Sequence, residues 1–83
     1  MLGNAPVTPN VAFGQVLRRH RKAVGMSQEQ LGLESGVQRN FISLIETGQN
    51  QPTVNTVFKL AAALKTKPSR LLLEAERLIG SGH

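Results

Sequence analysis

The side chains best suited to a specific chemistry are four polar residues in one short stretch, Gln38, Arg39, Asn40 and Ser43. A guanidinium can bond a guanine edge with two donors, and a side-chain amide can bond adenine with one donor and one acceptor. A hydroxyl can serve either base. Placed on the first turns of one helix, these groups suit the recognition of DNA base edges. They are also compatible with an ordinary polar face on a small helical bundle.

Catalytic and metal-binding chemistry has little support in the sequence. Cysteine is absent, and His20 and His83 are the only histidines. Disulfides, thiolate metal sites and histidine clusters are therefore excluded. The acids are scattered, and no Ser-His-Asp arrangement or nucleotide-binding glycine loop is present. We expect no enzyme, no metal, no cofactor and no small-molecule ligand, and we expect His20 to be a packed or half-buried side chain.

The charge is positive and unevenly distributed. The sequence contains ten Lys and Arg residues and five Asp and Glu residues, which gives a net charge of +5. A basic cluster precedes the first acid, Glu29, and consists of Arg18, Arg19, Arg21 and Lys22. This balance favours a polyanion as partner. The alternative for the cluster is a solvated helix face.

Membrane insertion and secretion are not indicated. No apolar run approaches the roughly 18 residues of a membrane span. The N-terminus has neither the basic head nor the long apolar core of a signal peptide. We therefore expect a cytoplasmic protein without a membrane partner.

Two short helices joined by a tight turn carry the polar residues. Ser27 is a good N-cap for the first, because its hydroxyl can accept a hydrogen bond from a free amide of the first turn. Gly36 ends that helix at Ser35, since glycine adopts the left-handed conformation that a sharp turn needs. Val37 is apolar, which indicates that the turn packs on a core. The second helix should run from residue 38 or 39 to Thr47.

Three further helices complete a five-helix, all-α domain. Helix 1 should run from about Asn10, as cap, to Gly25, helix 4 from Thr53 to about Leu64, and helix 5 from Pro68. The domain should span residues 10–79, between a flexible arm at 1–9 and a frayed end at 80–83. The stripes expected to be buried are Phe13, Val16, Leu17, His20 and Val24; Val54, Val57, Leu60, Ala61 and Leu64; and Leu71, Leu72, Ala75, Leu78 and Ile79.

Residues 13–72 resemble the Cro/C1-type helix-turn-helix family, also called the XRE family. The matching residues are Arg18 and Arg21, Gly25 to Leu31, Ser35 to Val37, Ile42-Ser43, Ile45-Glu46, Gly48, Pro52, Leu60-Ala61, Ala63-Leu64 and Leu71-Leu72. The resemblance implies a lambda-repressor-like bundle with the helix-turn-helix at helices 2 and 3. It also implies a transcriptional regulator that binds double-stranded DNA. Arg39 with Ile42-Ser43 also looks like the small controller proteins of restriction–modification systems.

The resemblance assigns roles to individual residues. The positions that match base-reading or groove-lining residues are Gln38, Arg39, Asn40, Ser43 and Leu44. Those that match DNA-backbone contacts are Gln28, Phe41, Gln49, Asn50 and Arg18. Arg21 and Glu46 match a salt bridge that joins helix 1 to the end of helix 3. Gly32 departs from the family pattern, which usually has Ala where helices 2 and 3 cross closely.

Helix 5 suggests a homodimer, because its apolar stripe is long for so small a domain. The expected interface residues are Phe58, Leu73, Leu78 and Ile79. A twofold dimer would bind an inverted repeat with half-sites roughly 34 Å apart. Two alternatives stay open. Helix 5 could simply cover the core of a monomer, or the chain could be an antitoxin or similar interaction module in which DNA binding is secondary.

Overall fold

The computed structural model describes residues 7–81, and these fold into five α-helices without a strand. The helices are α1 (Pro9–Ala23), α2 (Gln28–Ser35), α3 (Arg39–Glu46), α4 (Val54–Ala63) and α5 (Pro68–Ser81). The all-α, five-helix prediction is confirmed. Helix α1 packs against α3 and α5, helix α2 packs against α3 and α4, and α4 packs against α5.

Local chemistry defines the start of α2. The Ser27 hydroxyl accepts a hydrogen bond from the amide of Gln30 at 3.0 Å, and the Gln30 side chain accepts one from the amide of Ser27 at 2.9 Å. This reciprocal capping box satisfies two amides that otherwise lack a partner. Thr53 caps α4 in a simpler way, accepting from the amide of Thr56 at 3.1 Å.

The ends of the domain differ from the sequence-based boundaries. Helix α1 begins at Pro9, and its cap is Thr8, whose hydroxyl accepts from the amide of Val11 at 3.3 Å. Proline fits the first helical turn because its missing N–H would have no partner there, so the expected cap at Asn10 was wrong. At the other end α5 continues to Ser81. The remaining residues of the proposed arm and tail, 1–6 and 82–83, lie outside the described residues.

One hydrophobic core holds the helices together, and α1 packs against both α3 and α5. Its largest fully buried side chains are Val16, Leu17, Leu31, Ile42, Ile45, Leu60 and Leu71. Three residues expected in the core are instead exposed: Val24, Val54 and Leu72 at 51%, 75% and 52%. Each lies at the edge of its helix's apolar stripe, where the helical spacing alone does not fix the buried side. No helix in residues 7–81 is long and apolar enough to cross a membrane.

A polar network joins α1 to α5. His20 lies half-buried, and its Nε2 is 2.9 Å from Glu74 Oε1. Arg70 donates from Nε to the other oxygen of Glu74 at 2.9 Å. The His20 hydrogen bond, aided by Arg70, lowers the pKa of the Glu74 carboxyl against the opposing effect of burial. The ionised carboxylate therefore helps to hold α5 on α1.

Acid should weaken this network in a way that one variant can isolate. A carboxyl whose pKa is lowered by folding stabilises the fold above its unfolded pKa of about 4.3, and this stabilisation is lost as the pH falls through the folded pKa. We expect Glu74→Gln to lower the free energy of unfolding at neutral pH. As the pH falls, the free energy of unfolding of this variant should decrease less than that of the parent. Urea denaturation over a pH series measures both effects.

The matched control is Glu76→Gln, which removes the same charge from an exposed position two residues along α5. It should leave the acid dependence of the parent unchanged. If the free energy of unfolding changed with pH equally in the Glu74→Gln variant and the parent, the network would not stabilise the fold.

Candidate nucleic-acid interface

Helix α3 presents different chemistry on its two sides. Ile42 and Ile45 are fully buried and attach the helix to the core. Gln38 precedes its first turn as the N-cap residue, and its side chain makes no capping hydrogen bond. Arg39 and Asn40 follow, and all three polar side chains are exposed. The structure therefore brings together, at the start of one firmly packed helix, donors and acceptors that can reach a ligand in solvent.

The backbone of α3 lies directly against the backbone of α1. A Cβ atom at Gly14 would overlap the carbonyl oxygen of Ile45 and lie 2.8 Å from that of Glu46. Any side chain at this position would therefore push the end of α3 away from α1. The absence of a side chain at Gly14 sets the distance between the two helices.

A buried ion pair fixes the same end of α3. Arg21 donates to both carboxylate oxygens of Glu46, from Nε at 2.7 Å and from Nη2 at 3.0 Å. The two side chains are only 10% and 4% exposed. The Glu46 hydrogen bond raises the pKa of Arg21 further above its usual value. The pair that the family resemblance implies is thus present, with the bidentate geometry that makes such contacts strong and specific.

The pair also organises the segment between α1 and α2. Arg21 donates from Nη1 to the carbonyl oxygen of Met26 at 2.8 Å. Gln28, the first residue of α2, donates from its amide to Glu46 Oε1 at 3.0 Å. Arg21 and Glu46 therefore connect α1, the following turn, the start of α2 and the end of α3. This contact of Gln28 was not foreseen, because eighteen residues separate it from Glu46 and no local pattern links them.

The turn between α2 and α3 is compact. Gly36 has φ +78°, the left-handed conformation predicted for it, and Val37 is buried against the core. A Cβ at Gly32 would lie 2.9 Å from the carbonyl oxygen of Val37. The departure from Ala at this position thus has a physical reason, because α2 approaches the turn more closely than a methyl group allows.

The loop after α3 is tied back to that helix. The backbone amides of Gln49 and Asn50 both donate to the carbonyl oxygen of Leu44, at 2.9 and 3.2 Å. The Gln49 side-chain amide donates to the Thr47 hydroxyl at 3.0 Å. These bonds satisfy the end of α3 and hold the loop beside it.

The residues assigned by resemblance differ in how far they are exposed. Of the base-reading set, Gln38, Arg39 and Asn40 are exposed, and Ser43 and Leu44 are half-buried. Of the backbone set, Arg18 and Gln49 are exposed, and Gln28, Phe41 and Asn50 are half-buried.

The expected dimer residues lie on α4 and α5. Phe58 and Leu73 are 58% and 38% exposed, whereas Leu78 and Ile79 are partly buried against the core. An apolar groove between the two helices is lined by Phe58, Val54 and Leu72 among others. The sequence did not single out Val54 and Leu72 for this surface, because both had been assigned to the core.

Comparisons with known proteins agree with this architecture. A helix-turn-helix family model (HTH_3) matches residues 17–71. The chain is 36% identical over 68 residues to the HTH-type transcriptional regulator SlrR of Bacillus subtilis (strain 168), covering 81% of this chain and 44% of SlrR. It is 38% identical over 61 residues to the control protein C.BamHI of Bacillus amyloliquefaciens, covering 72% of this chain and 75% of that protein. The chain thus spans less than half the length of SlrR.

Solved structures show the same fold. The restriction-modification controller protein C.AhdI from Aeromonas hydrophila has a TM-score of 0.72 at 43% identity, covering 74% of this chain and 92% of that one. The clp gene regulator ClgR from C. glutamicum has a TM-score of 0.85 at 23% identity, covering 90% and 96%. The second likeness concerns the fold alone.

Breaking the Arg21–Glu46 pair should cost much of the stability of the domain. Removing one partner from a buried ion pair typically costs about 3–5 kcal/mol, because the other charge is left without compensation. We expect this loss for Arg21→Glu, measured by chemical denaturation. Lys22→Glu makes the same charge change at the next, exposed position, and should alter stability by only about 0.5 kcal/mol. Equal stability of the Arg21→Glu variant and the parent would contradict a structural role for the pair.

Proposed function

This chain belongs to the helix-turn-helix family of transcriptional regulators, and from that membership we propose that it recognises specific sequences in double-stranded DNA. Helix α3 enters the major groove, and the protein acts as a homodimer on an inverted repeat. The observation that carries the proposal is the exposed polar start of α3 on a helix fixed by the buried Arg21–Glu46 pair.

Side chains at the start of α3 make the direct contacts with the bases. Arg39 can make two hydrogen bonds to guanine, and Gln38 and Asn40 can each make a donor–acceptor pair with adenine. Ser43 follows Arg39 by one turn on the same side of the helix. Leu44 offers an apolar contact for a thymine methyl group.

Backbone contacts orient the helix without reading sequence. A side-chain amide has two N–H donors, and the Gln28 amide gives one of them to Glu46. The other can donate to a phosphate, so the contact within the fold orients the group that binds DNA. Gln49 and Asn50 in the following loop, together with Arg18, supply further backbone contacts, and Phe41 packs beside the backbone.

Dimer formation uses the apolar groove between α4 and α5 and its rim. Phe58, Leu72 and Leu73 expose 58%, 52% and 38% of their surfaces there. Clustered exposed apolar side chains are typical of protein interfaces. Ile79 lines this groove and packs on the core, whereas Leu78 packs on the core and lines the depression beside Arg19, so Ile79 is the stronger candidate of the two.

Sequence reading can be tested by selecting bound sites from a random duplex pool at physiological salt. We expect an enriched inverted repeat with half-sites roughly 34 Å apart, one turn of the duplex. Enrichment of a single half-site would support recognition by a monomer and contradict the dimer. Salt-sensitive binding without enrichment would contradict the proposed function and favour a protein-interaction module of the antitoxin kind.

A single variant identifies the role of Arg39. If its guanidinium contacts guanine, Arg39→Ala should cost about 1–3 kcal/mol of binding free energy and relax the preference at one base position only. Binding to a panel of operators with one substitution each, measured by fluorescence anisotropy, separates the outcomes. An equal loss on every sequence would show that Arg39 contacts only phosphate.

Phe58 should be a central residue of the dimer. Residues at the centre of an interface commonly contribute about 2 kcal/mol or more, so Phe58→Glu should raise the dimer dissociation constant roughly thirtyfold in sedimentation equilibrium. Leu33→Glu is the matched control, since Leu33 is 79% exposed on α2, away from this groove. A parent protein that sediments as a monomer, or an equal effect of both variants, would contradict the interface.

A further inference from the structure

A second concentration of positive charge lies away from α3. Arg19 on α1, Lys65 and Lys67 in the turn between α4 and α5, and Arg70 on α5 are all exposed. Lys65, Lys67 and Arg70 line one open depression, and Arg19 lines a neighbouring one. Glu74 borders both depressions, so the four cations form one continuous surface, the α1–α5 basic face.

The fold neutralises only part of the charge of the basic face. Glu74 is the carboxylate that borders both depressions, and it already accepts hydrogen bonds from His20 and Arg70. In residues 7–81, neither Lys65 nor Lys67 takes part in an ion pair. Arg70 thus occupies one oxygen of Glu74 and His20 the other, and both lysines lie beside a carboxylate that is already paired.

The turn retains a lysine where its backbone conformation favours other residues. Lys65 has φ +57°, in the left-handed region that glycine and asparagine adopt at lower cost. The amide of Lys65 donates to the carbonyl oxygen of Ala62 at 3.1 Å, which ends α4. The end of α4 requires this backbone conformation but no positive charge. The presence of a lysine at position 65 is therefore not explained by the turn itself.

Helices α3 and α5 contact different residues around helix α1. Gly14 and Arg21 face α3, through the backbone contact and the buried ion pair. His20 faces α5, through Glu74. A duplex that holds α3 in its major groove therefore lies on a different side of α1 from the basic face.

We propose that the α1–α5 basic face binds the phosphate backbone of a second DNA duplex while α3 holds the first. The inference rests on the proposed function, because it takes the protein to be already on DNA. The face provides cations without the exposed amides that read bases, so its binding is independent of sequence. A duplex carries one negative charge per roughly 1.7 Å of axis, so cations spread over a turn and two helices can all find partners. The consequence is that one bound protein can bridge two DNA segments.

A bridging assay tests the proposal. An immobilised duplex is saturated with the full chain, and retention of a second, labelled duplex of unrelated sequence is measured across a salt series. The variant is Lys65→Gln with Lys67→Gln, which leaves the Arg70–Glu74 pair intact. It should retain far less of the second duplex while holding the first as the parent does. The logarithm of second-duplex binding should fall linearly with the logarithm of the salt concentration. In the variant this slope should be smaller in magnitude, by about 0.9 for each removed lysine that contacts a phosphate.

Lys59→Glu provides the matched control, because it lowers the net charge by the same amount from an exposed position on α4 outside both depressions. It should retain the second duplex as the parent does. Equal retention by the double variant and the parent would overturn the proposal, as would equal losses for the double variant and the control. Displacement of the second duplex by poly-glutamate as effectively as by DNA would overturn the assignment to DNA.

The assay also separates this inference from the proposed function. Any immobilised duplex that retains the protein serves for the first step. Failure to find a preferred sequence would contradict sequence-specific recognition, and the bridging assay would still test the second-duplex proposal independently. Failure of every duplex to retain the protein would overturn both.

Discussion

The position of helix α3 depends on one buried carboxylate. Glu46 ends α3, and it accepts hydrogen bonds from Arg21 on α1 and from Gln28 at the start of α2. A charge so deeply buried is tolerated only when its oxygens are well satisfied, and here three donors meet two oxygens. The helix-turn-helix thus does not rely on the short turn alone for its geometry. Hydrogen bonds among Arg21, Gln28 and Glu46 also join the start of α2 to the end of α3, at the ends of these helices away from the turn. Both ends are attached to α1 through Arg21.

Affinity and specificity are assigned to different parts of the chain. The start of α3 is mostly neutral, since Gln38 and Asn40 are amides and only Arg39 is charged. Neutral amides discriminate among bases but release no counterions, whereas cations draw the protein to any duplex. Most of the positive charge lies instead on α1, the α4–α5 turn and α5. Under the proposed function, the protein approaches DNA through charge and recognises a site through hydrogen bonds made by a separate element.

The sequence predicted those features that local chemistry controls. Ser27, Gly36 and Pro68 marked helix ends correctly, because a cap, a left-handed turn and a first-turn proline each depend on a few neighbouring atoms. The Arg21–Glu46 contact came from the family resemblance, since no periodicity connects residues 25 positions apart.

Other features were beyond the sequence for the same physical reason. The hydrogen bond that Gln28 donates to Glu46 and the hydrogen bond between His20 and Glu74 depend on how helices cross, which no single stretch encodes. Val54 and Leu72 were placed in the core because each borders an apolar stripe, and only the packing of α4 against α5 decides which edge faces solvent. The residues assigned to DNA contact lie where such contacts are possible, and their roles stay predictions.

The missing side chain at Gly14 has a consequence for how such a protein can change over time. Main-chain atoms fix the spacing of α1 and α3, so substitutions among the exposed residues of α3 leave that spacing untouched. The residues proposed to choose a DNA site can then vary while the main-chain spacing that positions them stays constant. Under that proposal, a lineage with this fold can acquire new target sites by a few surface substitutions, without changes to its core.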